Sequence, residues 1–207
     1  MYRLYWARGT GAIAAEVMLE ETGIAYERVV VDMDAGEHLQ PDYLAVNPAG
    51  QLPTLELPDG TVIAESAAMV VLIGERHPET GLVPPVDAPE RARFLHRLMY
   101  MATSVYPTLV RRYHADHFTT DPTGVGAVRA AALEALERQF ALLDAAIEGD
   151  PWFLTRGCTA LDIYLAMLTG WHPGTAGLLQ RNVAIGRVCA AIEKRDAYAR
   201  VMAQHHC

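Results

Sequence analysis

Asn47-Pro48-Ala49-Gly50-Gln51-Leu52-Pro53-Thr54-Leu55 is the stretch on which the reading of this chain turns. Its first half is punctuated by proline and glycine as a turn is, and it runs straight into a strand candidate, residues 53–57. A proline has no N–H to give to a ladder, so a sheet rarely tolerates one without a reason. Either Pro53 opens the strand for such a reason, or the strand simply begins at Thr54.

Working outward, Pro58-Asp59-Gly60 is a turn signal between two alternating runs, 53–57 and 61–64, which predicts a hairpin. Residues 66–76 follow as a helix with Met69, Val70 and Ile73 on one face. Upstream, residues 3–6 read as a short strand and Gly9-Thr10-Gly11 as a turn. Residues 12–21 read as a helix closed by Gly23, and the β-branched run 26–31 as a second strand. The order is βαβ, an irregular stretch, then ββα. That is the order of a thioredoxin-like domain, whose third strand is opened by a cis proline, the place of Pro53. Such domains carry C-x-x-C at the first helix; here the position reads Gly9-Thr10-Gly11-Ala12, which excludes a dithiol oxidoreductase.

This first domain is expected over 1–80, a linker with Pro84, Pro85 and Pro89 over 81–90, and an all-helical domain over 91–207. Phe94, Leu98, Met101, Val105 and Leu109 repeat at helical spacing. Leu133, Leu136, Phe140, Leu143 and Ile147 do the same, as do Ile163, Tyr164, Met167, Leu168 and Trp171, with a further helix over 183–191. Thr159-Ala160-Leu161-Asp162 is a capping box with Asp in place of Glu, and Cys158 and Ile163 stand where a hydrophobic staple would sit.

Composition limits the partners. The 207 residues are 51% hydrophobic and 20% charged, which suits a globular protein, and no apolar run is long enough to span a membrane. The net charge of −8 disfavours nucleic acid and anionic membranes. The acid excess is confined to residues 1–80, with 4 basic against 13 acidic side chains. Met1-Tyr2-Arg3-Leu4-Tyr5-Trp6 lacks the apolar stretch of a secretion signal. Cys158, Cys189 and Cys207 form neither a disulfide framework nor a zinc motif, so a cytoplasmic location and no metal are expected. His114 and His117 are read as a solvated helix end, and His205-His206-Cys207 as a frayed tail.

In its Asn-Pro-x-Gly-x-x-Pro segment, its Glu65-Ser66 pair opening a helix, its linker and its Thr159/Asp162 box, the chain resembles the soluble glutathione transferases over nearly its whole length. It looks most like the bacterial beta class, but Gly11 occupies the position of that class's cysteine, and its histidine finds no match near Ala102 and Thr103. The resemblance implies the glutathione transferase fold, an α/β thioredoxin-like N-terminal domain plus an all-α C-terminal domain. It also implies a homodimer, detoxification chemistry, and glutathione as co-substrate for attack on a small-molecule electrophile. An isomerase, dehalogenase or lyase on the same fold, or a non-catalytic binding protein, are the alternatives.

Residue by residue, the resemblance implies that the main chain of Gln51 and Leu52, held by Pro53, pairs with the cysteinyl backbone of glutathione as an added strand. Glu65 would meet the γ-glutamyl ammonium, and Ser66 at a helix start its carboxylate. Taken alone, Glu65-Ser66 reads equally well as an ordinary helix N-terminus. His38 or Gln40 would meet the glycyl end. Catalysis must ionise a thiol of pKa near ~8.5, and lowering it by about two pH units takes roughly 2.7 kcal/mol. One hydrogen bond to a charged group supplies about 1.5–3 kcal/mol. Thr10, with the amides of Gly11 and Ala12, suits that role; plain helix capping is its other reading and Tyr5 is the rival donor, with Arg8 adding positive potential. The electrophile pocket is expected between the halves, with Tyr106 and Tyr113, and also Arg111 and His114, as candidates.

Overall fold

A computed structural model describes residues 1–205; His206 and Cys207 lie outside them, and with them the expectation that Cys207 takes no part in catalysis. The described residues form two compact units, one of residues 1–85 with 193–205, the other of residues 86–192. The thioredoxin-like and the helical parts are both present, as the resemblance implies.

The first unit runs β1 (Tyr2–Trp6), α1 (Ala12–Thr22), β2 (Tyr26–Val30), α2 (Pro41–Val46), β3 (Thr54–Glu56), β4 (Val62–Ile63) and α3 (Ser66–Arg76). The strands make one sheet in the order β2-β1-β3-β4. β1 and β2 are parallel, with Tyr2 opposite Tyr26, while β3 runs antiparallel to β1, with Leu4 opposite Leu55, and β4 antiparallel to β3. Alternation along β1 splits its side chains between two faces. Leu4 and Trp6 face α1, whereas Tyr5 packs on Tyr43 of α2 and on Val31, Val46 and Leu52. α1 ends where its glycine stands, Gly23 taking the left-handed conformation at φ 67°. Its residues from Ala12 to Leu19 are all buried, so it is a core helix rather than an amphipathic one. α2 falls in the stretch that reads as irregular, its six residues being too short to show a period.

Helix α10 (Asp196–His205), last in the chain, belongs to this unit and packs on α1. Ala197, Tyr198, Val201 and His205 form its buried face. His205 is therefore not part of a frayed tail: it completes the apolar stripe of its helix, and its ring meets Glu16 of α1 and the Gly9 amide.

The second unit contains α4 (Arg91–Tyr100), α5 (Tyr106–Tyr113), α6 (Val125–Asp144), α7 (Ala160–Gly170), α8 (Thr175–Arg181) and α9 (Val183–Ile192). A π-helical turn, Met101–Val105, joins α4 to α5 directly before Pro107. Proline has no N–H for the i→i−4 ladder, and a widened turn absorbs the defect. The stripe from Phe94 to Leu109 stays buried through it. On α6 the buried positions are Ala132, Leu136, Phe140 and Leu143; Leu133 is only partly covered and Ile147 lies past the helix end. The capping box forms. Asp162 Oδ2 accepts from the Thr159 amide at 2.7 Å and Oδ1 from the Phe153 amide at 2.6 Å, tying the preceding loop to the helix start. Burial pushes the Asp162 carboxyl up to about 6, against the pull of these amides.

Candidate functional site

The segment 47–54 is held rigid from below. Asn47 is buried, and its amide donates to the Gln51 carbonyl at 2.9 Å and to Thr54 Oγ1 at 3.0 Å, while its Oδ1 accepts from the Ala49 amide. The Tyr43 hydroxyl donates to the same Gln51 carbonyl at 2.6 Å. Gly50 supplies the bend at φ 62°, where a side chain would also strike the His38 carbonyl at 3.2 Å. The Leu52–Pro53 bond is cis. Asn47, Tyr43 and, at 3.5 Å, Thr54 Oγ1 thus anchor the Gln51 carbonyl, whereas the amide and carbonyl of Leu52 bond to no other described residue. A strand edge with an unspent donor and acceptor is where an extended peptide can add.

Three predicted positions meet beside it. Gly11 precedes α1, and Ser66 is the first residue of α3. A Cβ built on Gly11 would stand 3.1 Å from Ser66 Oγ, 3.2 Å from Ser66 Cβ and 3.3 Å from Pro53 Cδ. The N-termini of two eleven-residue helices therefore converge on the proline, each bringing a positive dipole end. Glu65, just before α3, is exposed and holds a left-handed backbone at φ 66°, φ being positive at no other non-glycine among the described residues. Such strain persists only where the surroundings enforce it. A side chain at position 11 is thus a tight fit, which needs Ser66 and Pro53 to give by a few tenths of an ångström.

Thr10 is half-buried in the turn. Its hydroxyl donates to the Ala7 carbonyl at 2.8 Å and accepts from the Ala12 amide at 3.3 Å, so in this arrangement it caps the helix. Tyr5 lies on the other face of the sheet from α1, its hydroxyl 3.3 Å from Arg3 Nη1 and 3.4 Å from Glu56 Oε2. Burial raises its pKa, with Arg3 opposing. The rival phenol is therefore already engaged, on the face carrying α2. Arg8 is exposed, Gln40 is exposed, and His38 is half-buried with an unpartnered Nδ1.

Beneath the turn lies a polar cluster that sequence reasoning missed. Glu16 of α1 is fully buried. Its carboxylate pairs with Arg28, whose Nε is at 2.7 Å, and accepts from the Tyr26 hydroxyl at 3.0 Å and the Trp6 indole at 2.9 Å. Burial pushes its pKa up, but the His205 and Arg28 contacts outweigh that and hold it below the ordinary value. The signal was one acid inside an otherwise apolar run, Ala12 to Leu19.

In the second unit, Tyr106 and Tyr113 both reach Trp171. The Tyr106 ring meets the indole edge-on at 5.2 Å, and the Tyr113 hydroxyl donates to the Trp171 carbonyl at 2.6 Å. Arg111 lies over the Phe118 ring instead, and His114 stacks on His117 at the surface. Cys158 is half-buried and Cys189 buried.

Comparison with known proteins accords with this geometry. Residues 12–76 match the family model "Glutathione S-transferase, N-terminal domain". The chain is similar to glutathione S-transferase GstA of Escherichia coli O157:H7, 29% identical over 174 residues, 82% of this chain and 81% of that protein. Among solved structures, a sphingomonad glutathione S-transferase complexed with glutathione superposes with a TM-score of 0.83 at 27% identity, covering 98% of each chain. A glutathione transferase homologue from Sulfitobacter, with bound glutathione, shares the fold at a TM-score of 0.90 and 24% identity, over 100% of this chain and 99% of that one. Residues 12–76 thus match the glutathione S-transferase N-terminal domain, and over nearly its whole length the chain is similar to glutathione S-transferases.

Proposed function

We propose that this protein is a glutathione S-transferase enzyme that activates the thiol of glutathione for attack on small apolar electrophiles. The observation that carries the reading is the convergence of Gly11, Pro53 and Ser66 beside the unspent main chain of Leu52. Gln51, Leu52 and Pro53 form the edge that pairs with the cysteinyl backbone. Glu65 takes the γ-glutamyl ammonium, and Ser66 with the α3 N-terminus takes its carboxylate. The sulfur then lies at the α1 N-terminus, near Thr10 and the Gly11 amide.

Thr10 is the catalytic hydroxyl in this reading, and energetics allow it despite its bond to Ala7. Turning the proton from a neutral carbonyl to a thiolate exchanges a bond worth about 0.5–1.5 kcal/mol for one worth about 1.5–3. Tyr106 and Tyr113, gathered on Trp171, are assigned to the electrophile. A homodimer and a cytoplasmic location belong to the same proposal; among the described residues no helix is long and apolar enough to cross a membrane. The test is a glutathione-affinity column followed by an aromatic-halide conjugation assay. Retention with turnover supports the transferase, and retention without turnover leaves a binding protein. Absence of both removes the site.

A further inference from the structure

The turn that precedes α1 receives one hydrogen bond from outside its own neighbourhood. Among the described residues, nothing beyond positions 7–13 bonds to Arg8, Gly9 or Thr10 except His205, whose Nδ1 accepts the Gly9 amide at 3.0 Å. The His205 side chain is 1% exposed, and its ring lies 4.7 Å from the Trp6 ring. An Nδ1 that accepts leaves the ring proton of the neutral imidazole on Nε2, which faces Glu16 Oε2 at 3.4 Å. The Trp6 indole, 2.9 Å from both that carboxylate and Nε2, then donates to the carboxylate, because a protonated Nε2 accepts nothing. Glu16 is in turn fixed by Arg28 and Tyr26. The chain of contacts is therefore directional: buried carboxylate, imidazole, then the main chain of the turn that carries Thr10 and Gly11.

We propose that His205 is a positioning residue, which sets the Gly9–Thr10–Gly11 turn so that its donors meet the glutathione sulfur. The inference rests on the glutathione-transferase reading of the site. Gly9 is exposed and adopts φ 68°, a conformation open to wide motion, so the turn needs an anchor to hold its donors in place. Catalytic donors misplaced by about 1 Å lose on the order of a hundredfold in rate. α10 thereby contributes to catalysis from beneath the site, without touching substrate.

Two near-isosteric variants separate the tie to the turn from the tie to the buried acid. In His205→Asn the amide oxygen stands where Nδ1 accepts from Gly9, and the donor to Glu16 is lost. In His205→Gln the amide nitrogen stands where Nε2 faces Glu16, and the acceptor for Gly9 is lost. Three readings are taken on wild type and both variants. They are amide hydrogen exchange at Gly9, the pH titration of the bound glutathione thiol by ultraviolet absorbance, and kcat and KM for conjugation. We expect the Gln variant to exchange Gly9 faster, to titrate about one pH unit higher and to lose about tenfold in kcat at neutral pH, with KM for glutathione within about threefold. The Asn variant should stay close to wild type in all three. Equal impairment of the two variants, or a Gln variant with faster exchange but an unmoved thiol titration, overturns the proposal. Failure of wild type itself to bind glutathione is a separate result: it refutes the transferase reading first, and this inference with it.

Discussion

Gly11→Ala sets two effects of opposite sign against each other. Gly11 lies in the right-handed helical region, at φ −59° and ψ −4°, where alanine is at ease. On backbone grounds alone the substitution should stabilise the protein by about 0.4–1 kcal/mol, by restricting the unfolded chain. The space argues the reverse. The new methyl would meet Ser66 Oγ at 3.1 Å, Ser66 Cβ at 3.2 Å and Pro53 Cδ at 3.3 Å, all tighter than ordinary carbon contact. None of the three yields easily: Ser66 Cβ is fixed to the start of α3, and the proline ring is rigid. Overpacking of this kind costs about 1–3 kcal/mol, so the net effect should be a loss of about 1–2 kcal/mol. Ser66 and Pro53 are also the proposed ligand contacts, and glutathione affinity should fall by about tenfold as they shift, roughly 1.4 kcal/mol. Urea unfolding read by far-ultraviolet circular dichroism gives the first quantity and titration calorimetry the second. A variant more stable than wild type with an unchanged Kd would refute the close-packing argument. Gly11→Cys should behave the same way, because its Cβ meets the same atoms.

Glu65→Gln keeps the size and removes the charge, and should weaken glutathione binding by about 1.5–3 kcal/mol in calorimetry. Thr10→Ala should raise the pKa of the bound thiol by about one unit, roughly 1.4 kcal/mol, while Thr10→Ser retains the donor and most turnover. Tyr5→Phe should leave turnover within about twofold, since the phenol is held by Arg3 and Glu56; a large loss there with Thr10→Ala silent would move the role to Tyr5. Glu16→Gln should cost about 3–5 kcal/mol at neutral pH, as breaking a buried ion pair does. Because the folded state holds the Glu16 carboxyl below its ordinary value, its contribution is present above the unfolded pKa and lost as pH falls below it. The gap between wild type and variant should therefore narrow on acidification, and unfolding curves of constant separation at pH 7 and pH 3 would contradict this.

The legible parts of the chain were those governed by local chemistry. Gly23 announced the end of α1, Pro58-Asp59-Gly60 the hairpin, and Thr159/Asp162 the start of α7, because each signal acts within four residues. Pro53 marked the approach to β3 for the same reason. The role of Asn47 did not show, although it opens the quoted stretch: its work is to clamp the Gln51 carbonyl together with Tyr43, and α2 was too short to be seen. Position 11 looked like a missing nucleophile. Its neighbours Ser66 and Pro53, tens of residues away, make it a contact point instead.

By itself the sequence determined a βαβ–ββα domain without a dithiol, followed by helices, with Pro53 at a strand start and Glu65-Ser66 at a helix start. These are matters of period, capping and turn residues, which neighbours along the chain decide. Tertiary structure alone decided which donors are free at the site. It drew the Tyr5 phenol to Glu56 and brought His205 from the last helix to the Gly9 amide. A buried polar group takes whatever partner the fold carries to it, across any sequence separation, because leaving it unpaired costs more than the detour.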